Sequence, residues 1–145
     1  MWRLAAALFV VAVLVAGCGS GGSETGGATP GPSASTGTVK LLDPAAYKAA
    51  IAATDAFVVN VHIPYEREIE GTDAFVSYDA IAKHASELPA DKSVPLYIYC
   101  RSGRMSALAT PDLQRLGYTN IVDLKGGMQA WVDAGLPLVD RQARG

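Results

Sequence analysis

The chain has 145 residues, of which 50% are apolar, and its formal net charge at pH 7 is −2. This length suits a single domain, and the scattered charges argue against nucleic-acid binding through a basic patch. Two cysteines, Cys18 and Cys100, are too few for a disulfide-rich scaffold or a Cys-rich zinc site. The sequence predicts neither a metal site nor a cofactor, because its two histidines, His62 and His84, lie apart and outside any ligand motif.

The amino terminus has the pattern of a secretory signal. Arg3 precedes thirteen apolar residues, 4–16, a run too short for a membrane-spanning helix, which needs about 20 residues. Leu-Val-Ala-Gly-Cys at 14–18 resembles the lipobox of bacterial lipoproteins, in which small residues precede a lipidated cysteine. We therefore predict a signal peptide over residues 1–17 and a lipidated Cys18 that anchors the chain to the bacterial cell membrane, outside the cytoplasm. The alternative is an ordinary cleaved signal or a buried helix, in which Cys18 has no special role.

The residues after Cys18 have the composition of a flexible tether. Residues 19–38 include seven Gly, four Ser, four Thr and two Pro, a composition that cannot bury a core. We predict a tether over residues 18–38 and one folded domain over residues 39–145. Without Arg3, 11 of the 12 basic side chains remain against 14 acidic ones, so the predicted lipid, rather than attraction to anionic headgroups, would hold the chain at the membrane.

The folded part alternates short apolar runs with helical patterns. Runs of strand length occur at residues 39–42, 56–61, 75–78, 94–99 and 120–124. Helical patterns occur at residues 43–53, 79–88, 103–116 and 126–131. Continuous apolar runs suit strands that are buried on both faces. The alternation therefore predicts an α/β fold in which helices flank a mostly parallel central sheet.

Proline positions refine two of the predicted helices. Asp43 followed by Pro44 favours a helix start, because Asp caps free N–H groups and Pro suits the first helical turn. Pro111 lies inside the predicted helix 103–116, where it removes a backbone hydrogen bond and clashes one turn back. We therefore expect a kink or a break near residues 107–110.

Cys100 occupies a position where ligands bind in open parallel sheets. It directly follows the apolar run 94–99 and precedes a short loop, 101–106, that enters a predicted helix. Loop amides, the helix dipole and the arginines at 101 and 104 all favour an anion. Since a cysteine is only a few per cent ionised at neutral pH, such surroundings would activate Cys100 as an exposed thiolate nucleophile. The alternative is a buried, inert cysteine at the end of a core strand.

Two motifs resemble the rhodanese superfamily of sulfurtransferases. Cys-Arg-Ser-Gly-Arg-Met-Ser at 100–106 matches the active-site loop of that family, which begins with a cysteine after a central strand. Residues 116–131 match its last strand and the glycine turn into its last helix, with Trp131 as a packing residue. The resemblance covers residues 39–140 and is stronger in the carboxyl half. Asn-Val-His at 60–62 departs from the Asp-Val-Arg that is usual in the family.

The resemblance implies a persulfide mechanism. Cys100 would take the outer sulfur of thiosulfate or a persulfide donor and pass it to a thiol or cyanide acceptor. If Cys18 carries a lipid, Cys100 is the sole thiol, so the acceptor must be external. The residues implied to bind the anionic donor and the persulfide are Arg101, Ser102, Gly103, Arg104, Met105 and Ser106. The alternative is a non-catalytic rhodanese-like module that binds an unidentified partner protein or senses redox state through Cys100.

The remaining polar side chains are interpreted as structural or solvated. His62 ends a strand at the same sheet edge as Cys100, and a structural role is preferred to a place in the site. His84 is predicted to be solvated on a helix. The acidic residues between 66 and 73 are predicted to form a solvated loop rather than a rim that selects a partner. Trp131 and Tyr118 are predicted to belong to the core.

Overall fold

The computed structural model describes residues 37–141 of the chain. The predicted signal peptide over residues 1–17, the predicted lipidation site Cys18 and residues 19–36 of the predicted tether lie outside the described residues. Between residues 37 and 141, no helix is long and apolar enough to span a membrane.

Five parallel strands form one sheet. They are β1 (Thr38–Leu42), β2 (Phe57–Asn60), β3 (Ala74–Phe75), β4 (Leu96–Tyr99) and β5 (Asn120–Leu124). Their order across the sheet is β1-β5-β4-β2-β3, and every neighbouring pair is parallel. This arrangement confirms the predicted mostly parallel α/β sheet and places β4, which leads into Cys100, at its centre.

Helices cover both faces of the sheet. They are α1 (Pro44–Ala53), α2 (Arg104–Arg115) and α3 (Gly127–Asp133). α2 packs Ala109 and Leu113 into one apolar cluster with Ile98 of β4. α1 and α3 pack Tyr47 and Trp131 into a second cluster, against side chains that point to the opposite face. Because both faces are covered at the centre of the sheet, β2 and β4 are mostly apolar rather than alternating.

The start of α1 follows the local sequence. Asp43 Oδ1 accepts the backbone N–H of Ala46 at 2.9 Å, and Pro44 is the first helical residue. The carboxylate satisfies one of the N–H groups that a helix leaves unpaired at its start. The predicted helix 43–53 is confirmed.

The predicted helix over residues 79–88 is wrong. Turns occupy most of this segment, and only Ala85–Glu87 forms a short 3₁₀ turn. Ile81 and Leu88 are nevertheless buried in the cluster beneath α2, so the apolar spacing was correctly associated with the core. A ten-residue helix is marginal without tertiary support, and here consecutive turns bury the same two side chains.

Pro111 does not break α2. The helix runs continuously from Arg104 to Arg115 with Pro111 inside it, so the expected break is wrong. Both Pro111 and Ala107, whose carbonyl lacks the usual partner four residues on, lie on the exposed face of the helix. Water can bond that carbonyl, which reduces the cost of the missing N–H.

Candidate active site

Cys100 lies at the carboxyl end of the central strand, in a tight turn before α2. Its sulfur accepts the backbone N–H of Gly103 at 3.1 Å. Gly103 has φ +89°, a left-handed conformation that favours glycine, and α2 begins at the next residue. The residue is only 1% exposed, so the expectation of an exposed thiol is wrong. Among the backbone amides of the loop, the Gly103 N–H is the one that donates to the sulfur in the described structure.

A buried pair of polar side chains lies behind the sulfur. The Ser106 hydroxyl is 3.7 Å from Cys100 Sγ and 2.9 Å from Asp123 Oδ2. Ser106 is fully buried in the first turns of α2, and Asp123 is 3% exposed on β5. Ser106, predicted to bind substrate, therefore links the cysteine to a carboxyl group that the sequence interpretation did not single out.

The pKa of Asp123 is raised to about 6, and the main cause is burial, which disfavours the charged carboxylate. Hydrogen bonds from Ser106 and from the backbone of Leu124 oppose the rise. An acidic residue among the apolar residues 121, 122 and 124 of a parallel strand was the available signal for this site, because such a group is costly to bury without a role.

The start of α3 holds the cysteine loop in place. The Met128 N–H donates to the Cys100 carbonyl and the Gln129 N–H to the Arg101 carbonyl, both at 2.9 Å. Gly127 between the two segments has φ +60°, and a Cβ there would lie 2.3 Å from the Cys100 carbonyl oxygen. The glycine turn at the start of α3, which belongs to the second sequence motif, therefore contacts the backbone of the cysteine loop, which is the first motif.

The two arginines of the loop have different surroundings. Arg101 Nη1 lies 3.3 Å from Glu66 Oε1, and both side chains are about half exposed. Arg104 is exposed and forms no ion pair with any described residue between 37 and 141. Ser102 is likewise exposed in the loop. Arg104 is consequently the loop cation that is free to meet an anion from solvent.

His62 lies against the start of α2. Its Nδ1 is 3.3 Å from the sulfur of Met105, and its Nε2 is 3.5 Å from Glu66 Oε1. The residue is 5% exposed. Glu66 therefore contacts both His62 and Arg101, and the histidine lies nearer to the site than its preferred structural interpretation implied. The contact of His62 with Glu66 spans only four residues, whereas no spacing in the sequence signals the contact of Glu66 with Arg101.

The prediction of a solvated acidic loop between residues 66 and 73 holds for Glu66, Glu70 and Asp73, which are exposed, and is wrong for Glu68. Glu68 is fully buried and pairs with Arg141, with Oε2 and Nε 3.0 Å apart. Asp73 Oδ2 accepts the Val58 N–H at 2.8 Å. These carboxylates support the fold, whereas Glu66 faces the site. His84, by contrast, is 39% exposed beside Glu87, as expected for a solvated side chain.

A surface groove begins at the loop and extends along α3. It has a volume of about 510 Å³ and includes Glu66, Arg101, Gln129 and the half-exposed Val132 in its lining. Trp131 of the same helix is buried, as is Tyr118, which confirms both as core residues. Among residues 37–141, no group of three His, Cys, Asp or Glu side chains is placed to hold a metal ion.

Comparison with known proteins gives one family. The profile of the family described as "Rhodanese-like domain" matches residues 43–134. A protein named "Sulfurtransferase" from Allochromatium vinosum is 46% identical over 54 residues, which cover 37% of this chain and 49% of that one. The adenylyltransferase and sulfurtransferase UBA4 of Meyerozyma guilliermondii is 34% identical over 80 residues, 53% of this chain and 17% of its own length. The chain thus spans half or less of these relatives.

Solved structures show the same fold. A rhodanese-related protein from Thermoplasma volcanium has a TM-score of 0.59 and 26% identity, over 69% of this chain and 97% of that one. A thiosulfate sulfurtransferase from Pseudomonas aeruginosa has a TM-score of 0.60 and 23% identity, over 72% of this chain and 20% of that one. The second likeness concerns the fold alone.

Proposed function

The chain belongs to the rhodanese-like family, and from this premise we propose that it is a sulfurtransferase that carries sulfur as a persulfide on Cys100. The observation that supports the proposal is the hydrogen bond from the Gly103 N–H to Cys100 Sγ at 3.1 Å. Such a donor stabilises a thiolate, and afterwards a persulfide, more than a neutral thiol. The 46% identity to a protein named "Sulfurtransferase" supports the same activity.

The proposed reaction has two half-reactions. The Cys100 thiolate attacks the outer sulfur of thiosulfate or of a persulfide donor. A sulfur–sulfur bond to Cys100 forms, the sulfur–sulfur bond of the donor breaks, and with thiosulfate the leaving group is sulfite. A thiol or cyanide acceptor then attacks the terminal sulfur, and the thiolate of Cys100 returns as the leaving group. Charge balances in each half-reaction without a cofactor.

The proposal is tested by the mass of the full chain purified in mild detergent. After incubation with thiosulfate, we expect the mass to rise by one sulfur atom, located on the peptide that contains Cys100. Cyanide should remove that sulfur as thiocyanate. A folded chain that gains no sulfur from thiosulfate or from a glutathione persulfide would contradict the proposal and favour the non-catalytic binding or redox-sensing module.

Arg104 is proposed to hold the anionic donor, because it is exposed beside the loop and has no ion-pair partner among the described residues. Arg104→Ala should raise KM for thiosulfate about fivefold and leave kcat nearly unchanged, as expected for the loss of about 1 kcal/mol of exposed ion pairing. Steady-state kinetics measure both constants. Arg115→Ala is the matched control, since Arg115 lies at the far end of the same helix and pairs with Asp112. An equal rise in KM in both variants would contradict a local role.

We also propose that Cys18 carries a lipid that holds the domain outside the cytoplasm at the bacterial cell membrane. The support is the apolar run at 4–16, which ends in small residues before Cys18. In bacteria fed a labelled fatty acid, the natural chain should take up label and partition with membranes. Cys18→Ser should abolish the label, whereas Cys100→Ser should retain it. A labelled Cys18→Ser chain would refute lipidation at this position.

A further inference from the structure

A buried polar chain runs from the nucleophile into the sheet. Ser106 Oγ lies 3.7 Å from Cys100 Sγ and 2.9 Å from Asp123 Oδ2. Asp123 Oδ1 is buried without a hydrogen-bond partner in the described part of the chain, and the residue is only 3% exposed. A carboxyl group in this position lowers stability when charged, and the proposed sulfur-transfer steps make no use of it.

The Ser106 hydroxyl has one hydrogen and three acceptors in reach. The third acceptor is the Gly103 carbonyl, 3.1 Å away. When Asp123 is ionised, it takes the hydrogen, because a hydrogen bond to a carboxylate is stronger than one to a neutral acceptor. When Asp123 is protonated, it donates its own hydrogen to Ser106 Oγ. The hydroxyl hydrogen then goes to the sulfur in its thiolate form, because a charged acceptor is stronger than the neutral Gly103 carbonyl.

We infer that Asp123 is a positioning residue which controls, through Ser106, whether the sulfur of Cys100 receives a second hydrogen bond. In the protonated state of Asp123, the thiolate accepts from both the Gly103 N–H and the Ser106 hydroxyl. In the ionised state it loses the second donor and faces a buried negative charge. The inference rests on the proposed role of Cys100 as the nucleophile.

Apart from the hydrogen bonds from Ser106 and the Leu124 backbone, the surroundings of Asp123 do little to offset its charge. Its neighbours in register, Leu41 on β1 and Ile98 on β4, are apolar. No Lys, Arg or His between residues 37 and 141 forms an ion pair with it. α1 contributes Tyr47, whose pKa is raised mainly by burial and further by Asp123. Because the pKa of Asp123 is itself raised to about 6, the carboxyl changes charge near neutral pH.

The test is a pH titration of the thiolate, read from its ultraviolet absorbance in the full chain, with Cys100→Ser as the blank. In the natural chain an ionised Asp123 disfavours the thiolate, so thiolate should appear at higher pH than in a variant without that charge. Asp123→Asn is uncharged and can donate an N–H to Ser106. Its thiolate should appear at lower pH than that of the natural chain by about one unit, the effect of one hydrogen bond to a charged group.

Three further variants separate this role from a merely structural one. Ser106→Ala removes the link, so adding Asp123→Asn to it should shift the titration much less than in the natural background. Ser106→Thr keeps the hydroxyl and should retain the titration of the natural chain. Glu68→Gln removes another fully buried carboxyl group that contacts Arg141 instead of the site, and it should leave the titration unchanged.

Each outcome bears on the inference. Identical titrations of the natural chain and Asp123→Asn would overturn it, and so would thiolate that forms at higher pH in Asp123→Asn, since Asp123 would then act as the proton acceptor. If Asp123→Asn fails to fold, Asp123→Ser, which also removes the charge and keeps a hydrogen-bond donor, replaces it, and a titration identical to that of the natural chain overturns the inference. A titration displaced toward lower pH in Asp123→Asn, in a protein that gains no sulfur from any donor, would refute the proposed function and leave the inference standing.

Discussion

Cys100→Ser is expected to lower the rate of sulfur transfer by at least about a thousandfold, because serine cannot carry a persulfide and its hydroxyl is a weak nucleophile. The substitution is nearly isosteric. A serine oxygen can accept the Gly103 N–H that now bonds the sulfur at 3.1 Å, so the loop should keep its shape. The loss would therefore report chemistry rather than folding.

The measurement is thiocyanate formation from thiosulfate and cyanide, with thermal unfolding as the check on folding. Cys18→Ser is the matched control, because it removes the other cysteine of the chain and leaves the loop untouched. Its rate should equal that of the natural chain in detergent. Turnover by a folded Cys100→Ser chain within tenfold of the natural rate would end the persulfide mechanism.

Gly127→Ala is expected to destabilise the domain by about 3 kcal/mol and to reduce sulfur transfer further than the loss of folded protein explains. The new Cβ would lie 2.3 Å from the Cys100 carbonyl oxygen and 2.6 Å from the Arg101 carbonyl carbon. The backbones must separate, which weakens the hydrogen bonds from Met128 and Gln129 to the loop. Two such bonds contribute about 2 kcal/mol and the left-handed conformation about 1 kcal/mol.

Gly135→Ala provides the control for conformational strain alone. Gly135 follows the same helix with φ +76°, but a Cβ there would meet no atom within 4 Å. It should cost about 1 kcal/mol and leave the rate per folded molecule unchanged. Urea unfolding gives the stabilities, and kcat of the folded fraction gives the second readout. Equal effects of the two substitutions would show that the contact of Gly127 with the loop has no special importance.

Local sequence patterns were sufficient for the sheet and for the position of the nucleophile. Uninterrupted apolar runs marked β2 and β4, since only strands covered on both faces tolerate them. Asp43 and Pro44 marked the start of α1. Cys100 was located because a strand, a glycine turn and a helix follow one another within a few residues. All of these signals act between near neighbours in the chain.

Local patterns failed where tertiary packing, rather than local preference, decides the backbone conformation. Ile81 and Leu88 are spaced for one helix face, yet turns bury both of them. Pro111 violates a helix rule, yet the packing of Ala109 and Leu113 beneath α2 holds the helix together around it. In both cases tertiary contacts outweigh a local preference of about 3 kcal/mol or less.

The sequence by itself determined the fold class, the family and the residue that carries the proposed chemistry. Only the tertiary structure decided what surrounds that residue. Asp123 reaches Ser106 because β5 lies beside β4, and Gly127 touches Cys100 because α3 starts against the loop. These partners are more than 15 residues apart in the chain, and their contacts depend on strand order and on how the backbones pack, which no local pattern encodes.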